Sequence, residues 1–134
     1  MKMSAIKIDS AKAEAGVRVR LADFDPRFED AWVKVRAFGN KDDQRIIDKQ
    51  NRLRRGTITN DAAAANMTER LREAILVDWG GFTDDNDKAV PYSREQADTW
   101  LADKDYALFR AGVVWAASEV SNGDAKDIEA DSRD

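Results

Sequence analysis

The chain has no cysteine and no histidine. No disulfide framework can form, so the fold needs no oxidising compartment. Cysteine and histidine nucleophiles, imidazole bases and the common zinc sites are excluded as well. Proline is nearly absent, with two residues, and glycine is sparse, with seven. No apolar run approaches the ~18 residues of a membrane span. The first fifteen residues, Met1 to Ala15, are charged and carry no apolar secretion core. A membrane partner is not expected, and the expected location is the cytoplasm.

What is present is charge. Of 134 residues, 36% are charged and 43% hydrophobic, enough for one core under a heavily charged surface. The net charge of −4 gives no overall field toward nucleic acid or anionic lipid. The expected organisation is a flexible arm over 1–14, a single α+β domain over 15–122, and an acidic disordered tail over 123–134.

Within the domain two periods alternate. Val17, Val19 and Leu21 share one face of a strand, with Arg18 and Arg20 on the other. Asp23-Phe24-Asp25-Pro26 is turn chemistry. Val33, Val35 and Ala37 mark a second strand over Trp32–Phe38, and the two runs predict an antiparallel hairpin. Two strands alone are marginal, so they must lie on helices or pair further. The remainder reads as helix. A polar, basic helix is predicted from Lys41 to Arg55, with Gly56 stopping it. Ala64, Met67, Leu71, Ala74, Ile75 and Asp78 recur at three- and four-residue steps and predict a helix from Asp61 to Trp79, capped by Thr59 or Asn60. Ser93-Arg94-Glu95-Gln96 is a capping box opening a short helix that breaks near Asp103. A last helix is predicted from Asp105 to Ser121, with Asn122-Gly123 ending it. The fold class is therefore α+β, mainly helical, with a small antiparallel hairpin near the N-terminus.

Four features carry possible chemistry. Asp84-Asp85-Asn86-Asp87 resembles the start of a calcium loop, but counted from Asp85 the sixth position is Val90 instead of glycine and the twelfth is Gln96 instead of glutamate. A solvated turn fits better. Arg45, Lys49, Arg52, Arg54 and Arg55 form a candidate electrostatic patch, interleaved with Asp42, Asp43 and Asp48 and without aromatics for base stacking. Nucleic acid is thus not the expected partner; a solvated face or an acidic protein partner fits the interleaving. Asp78 sits in an apolar setting, which can raise a carboxyl pKa, yet an acid in the last helical turn bonded to loop N–H groups beside Gly80-Gly81 explains it better. There is no GxSxG, no phosphate-binding glycine loop and no HExxH, so no enzyme and no cofactor is expected. Finally, the chain has four tryptophans. Trp100, Leu108, Phe109, Val113 and Trp115 are the candidate partner-binding residues, since aromatic side chains dominate binding hot spots.

Several segments carry a family resemblance. They are V-K-V-R-A-F-G-N (Val33 to Asn40), I-L-V-D-W-G-G-F (Ile75 to Phe82) and V-P-Y-S-R-E-Q-A (Val90 to Ala97). Their order, with a basic helix after the first and an acidic turn after the second, resembles the tail assembly chaperones of long-tailed bacteriophages and prophages. The likeness spans Val17 to Val120, and its most telling pieces are D-W-x-G-x-T-D-D and P-Y-S. It implies a non-enzymatic protein that binds the tape measure protein, keeps it soluble, promotes assembly of tail tube protein around it, and leaves the finished virion. It also implies self-association and, in many members, a longer frameshifted form. No functional residue is carried over, because that family has no catalytic motif. Two alternatives stand beside it: a structural tail-completion or connector protein, and a nucleic-acid-binding phage accessory protein using the Arg45–Arg55 helix.

Overall fold

The computed structural model describes residues 1–128. Among these residues the chain is α+β and mainly helical, with five α-helices and one three-stranded antiparallel sheet in the order β1-β2-β3. The two alternating runs form the expected hairpin. β1 (Val17–Arg20) pairs with β2 (Trp32–Val35), Val17 opposite Val35 and Val19 opposite Val33. All four valines are buried, as their alternation requires. In the long connection between the strands, the Arg27 guanidinium grips the Asp25 carboxylate at 3.0 and 2.8 Å. That contact, with the Arg27 backbone N–H, holds the Asp25 carboxyl down to about 2.

The main departure from the sequence reading lies between Asp61 and Trp79, where one helix is expected. Helix α3 (Asn60–Arg70) stops early, Leu71–Ile75 widens into a π-turn, and Leu76–Gly80 becomes strand β3. β3 pairs antiparallel with the other edge of β2, Trp32 opposite Gly80 and Val33 opposite Trp79. The reason is non-local. β2 lies between two strands, and a helix here would leave one of its edges with unpaired N–H and C=O groups. Within β3 the β-branched Val77 and the aromatic Trp79 also favour an extended chain. Gly80 completes the fit: a Cβ there would lie 2.5 Å from the Trp32 ring, so the indole occupies the space a side chain would fill. Gly81 then adopts φ +84° and passes so close to Ala31 that a Cβ would sit 2.8 Å from its Cα.

The helices otherwise follow their caps. Thr59 Oγ1 accepts from Ala62 N at the start of α3, and Ser93 Oγ accepts from Gln96 N at 3.0 Å to open α4 (Arg94–Ala102). Asn40 caps α2 (Lys41–Leu53), its Oδ1 accepting from the Asp42 and Asp43 amides. α5 (Ala107–Asn122) packs against β2 and turns Val113, Ala116, Ala117 and Val120 into the core, where Leu71, Ile75 and Leu101 meet them.

Both chain ends hold more structure than their composition suggests. Residues 10–14, expected within a frayed arm, belong to helix α1 (Ser10–Ala15): Ala13 is buried and its carbonyl accepts from Ala37 N at 2.9 Å. After α5 the chain folds back, with Asp124 N and Ala125 N both donating to the Glu119 carbonyl, and Asp127 pairing with Lys12. The rest of the expected acidic tail, 129–134, lies outside the described residues. Among the described residues, no helix is long and apolar enough to cross a membrane.

Candidate functional site

Trp79 organises the aromatic side of the domain. It is buried in β3 at 4% exposure, and its Nε1 donates to the Val90 carbonyl at 2.9 Å. Trp100 of α4 stacks on it with ring centroids 4.9 Å apart. Phe82, Tyr92 and Phe109 meet it edge-on at 5.8, 5.1 and 5.8 Å. Burial, then the negative charge of Asp78, pushes the Tyr92 hydroxyl above its usual pKa of 10.0. Edge-to-face and offset arrangements suit the ring quadrupoles, so this cluster is a stiff platform.

On that platform lies an open groove of about 690 Å³. Phe82, Trp100, Leu108 and Phe109 form its apolar floor, with Phe28 and Val90 at its sides. Asp84, Asp85 and Asp105 line its edge, and Tyr106, 47% exposed, stands beside Trp100 at 5.8 Å. The acidic edge is a built turn: Asp84 Oδ1 accepts from Asn86 N at 2.8 Å and Lys88 N at 3.0 Å, while Asp84 N donates to the Lys88 carbonyl. The Asp84–Asp87 stretch thus folds as a self-capped turn. Among the described residues, no cluster of three or more acids has the spacing to hold a metal ion.

The structure divides the five candidate partner-binding residues. Trp100, Leu108 and Phe109 come together in the groove, with Phe109, 5% exposed, as its floor. Val113 is 0% exposed; it faces the core of the domain, not a partner. Trp115 lies elsewhere, 5.6 Å from the Phe24 ring, in a smaller cleft of about 320 Å³ with Val19, Asp23 and Glu119. Helical spacing explains the split: Val113 lies four residues past Phe109 on its inward face, whereas Trp115 is turned about 200° from Val113 at 100° per residue. Phe28, Phe82 and Tyr106 are the groove residues that sequence reasoning misses. Phe82 carried a signal, as the first apolar residue after the double glycine.

The basic cluster is exposed, and two of its cations pair with carboxylates. Lys49 pairs with Glu69 at 2.6 Å and Arg45 with Asp42 at 3.2 Å. Arg54 Nε donates to the Gly56 carbonyl, and Arg55 to the carbonyls of Arg52 and Arg54. Lys49, Arg54 and Arg55 share a cleft of about 470 Å³ with Leu53 and Ile58; Arg45 and Arg52 do not line it. Asp78 sits in β3 instead of a helix end, and its Oδ1 accepts from Trp79 N at 2.9 Å.

The model of the YdaY prophage protein family matches residues 35–133 of the 134. The match runs from the end of β2 through α5 and takes in every groove residue except Phe28. The chain belongs to this prophage family. A phage or prophage protein is the coarser part of what the resemblance implied; the family description itself carries no tail role. No curated protein and no solved structure matches the chain.

Proposed function

We propose that this prophage protein is a non-enzymatic assembly chaperone for phage tails. It binds an apolar helical segment of the tape measure protein, keeps that protein soluble in the host cytoplasm, and hands it on as tail tube protein assembles. The observation that carries the reading is the groove: an open apolar trough of about 690 Å³ floored by Phe82, Trp100, Leu108 and Phe109, on an otherwise charged domain. An amphipathic helix presents apolar anchors at i, i+3, i+4 and i+7, and a rigid aromatic trough is what such a stripe fits. Because Trp79 already fixes Trp100 and Phe109, little side-chain entropy is lost on binding.

The nucleic-acid reading has less support, since Lys49 and Arg45 already have carboxylate partners. A connector role differs in its outcome: a connector stays in the purified virion, whereas a chaperone does not. The test is co-expression with the tape measure protein encoded by the same prophage. A soluble complex is expected, with the tape measure protein insoluble when made alone. Recovery of that protein in the pellet despite co-expression would overturn the proposal.

A further inference from the structure

The groove has a candidate occupant within this chain. Residues 1–8 read M-K-M-S-A-I-K-I, with Lys2 and Lys7 and no acid before Asp9. Every one of these residues is exposed. Met1 is 91% exposed, Met3 73%, Ile6 61% and Ile8 39%, so this short segment holds four of the six large apolar side chains that, among the described residues, stand out in solvent. Apolar side chains grouped and exposed in one short segment are a common mark of an interaction surface. The groove is the complementary surface: an apolar floor edged by Asp84, Asp85 and Asp105.

Geometry decides whose groove is filled. Ile8 packs beside Gly123, at the C-terminal end of α5. The groove lies at the other end of α5, at Leu108 and Phe109. α5 has 16 residues, so the two ends are about 24 Å apart at ~1.5 Å per residue. The seven residues before Ile8, fully stretched at ~3.3–3.6 Å each, reach about 23–25 Å, just the length of the helix. Within one chain these seven residues would be used up in reaching the trough and could not also lie along it.

We infer that residues 1–7 of one copy, extending from the Ile8 anchor, dock in the acidic aromatic groove of a second copy, so that the unloaded protein self-associates head to tail. The inference rests on the groove being a binding site. It adds a regulatory consequence: the arm and the client compete for one surface, and loading the client dissolves the self-contact. A head-to-tail contact of this kind closes into rings or runs on into chains.

Charge reversal on each side tests it. Two full-length variants are made, Lys2→Glu/Lys7→Glu and Asp85→Lys/Asp105→Lys, the latter leaving the Asp84 carboxylate that builds the turn in place. In each, arm and groove carry the same sign. Light scattering coupled to size exclusion reads the mass. The wild type is expected to rise with concentration to at least twice the 15.0 kDa of one chain. Each variant alone is expected to stay at one chain's mass. An equimolar mixture of the two is expected to assemble again, because each arm now faces a groove of opposite sign. A wild type that stays monomeric, variants that assemble as it does, or a mixture that fails to assemble overturns the inference. Client capture by the wild-type chain is read separately, so a failure here is distinguishable from a failure of the chaperone reading.

Discussion

Asp43 and Arg70 form a two-pronged ion pair inside the domain, with Nε to Oδ1 at 2.7 Å and Nη2 to Oδ2 at 2.9 Å. The Asp43 side chain is fully enclosed, and Gly39 N donates a third bond at 2.8 Å. Arg70 also lies 5.5 Å over the Phe38 ring. The pair fastens α2 to the end of α3, the point where the helix yields to the π-turn and then to β3. Breaking such a pair leaves a buried charge uncompensated, at a typical cost of about 3–5 kcal/mol. Arg70→Ala is expected to lose stability on that scale in urea unfolding. Arg45→Ala removes an exposed pair and is expected to change stability by less than about 0.5 kcal/mol.

The same pair makes stability pH-dependent. Burial opposes ionisation of Asp43, but the Arg70 guanidinium, the Gly39 N–H and the Arg36 charge outweigh it, and the carboxyl stays below its ordinary 3.8. A folded pKa below the unfolded one means that the unfolded chain takes up the proton first. The contribution is complete above the unfolded value and fades as pH falls through the folded value. Urea midpoints of the wild type and of Arg70→Ala, compared from about pH 7 down to about pH 3, are expected to converge in acid. A gap that stays constant throughout would place the stabilisation elsewhere.

Gly80→Ala tests the packing that makes β3 a strand. The added Cβ would meet the Trp32 ring at 2.5 Å and force the indole out of place. Overpacking of this kind costs about 1–3 kcal/mol. In a double-mutant cycle with Trp32→Ala the two losses are expected to be less than additive, because the second change removes the clash.

The turn that edges the groove depends on one carboxylate. Asp84→Ala removes the acceptor for the Asn86 and Lys88 amides. Lost bonds at an exposed turn are worth about 1 kcal/mol or less each, so global stability should barely move. Hydrogen exchange at those two amides is expected to accelerate selectively.

How far the sequence could be read follows from the range of each signal. The β1–β2 hairpin was legible because alternating Val17, Val19, Val33 and Val35 is a local pattern, and the caps at Thr59 and Ser93 are local chemistry too. β3 was not legible. Leu71, Ala74, Ile75 and Asp78 keep a helical period, and what overrides it is a free strand edge more than forty residues away in the chain. Asp43 was hidden for a related reason, as one acid among several on a polar helix whose partner Arg70 is brought up only by the fold. Half of the groove was visible as Trp100, Leu108 and Phe109. The other half, Phe28 and Phe82, comes from two separate connections and needed the sheet to bring them together.

The most direct measurement is the soluble fraction of the tape measure protein co-expressed with groove variants. Tyr106 is exposed and Leu108 half-buried, so Tyr106→Asp and Leu108→Asp place charge on the trough with little demand on the core. Arg55→Glu changes the basic cluster on a different surface. If the groove holds the client, the wild type and Arg55→Glu keep the tape measure protein in solution, and Tyr106→Asp and Leu108→Asp leave it in the pellet. Solubilisation by both groove variants at the wild-type level would contradict the account.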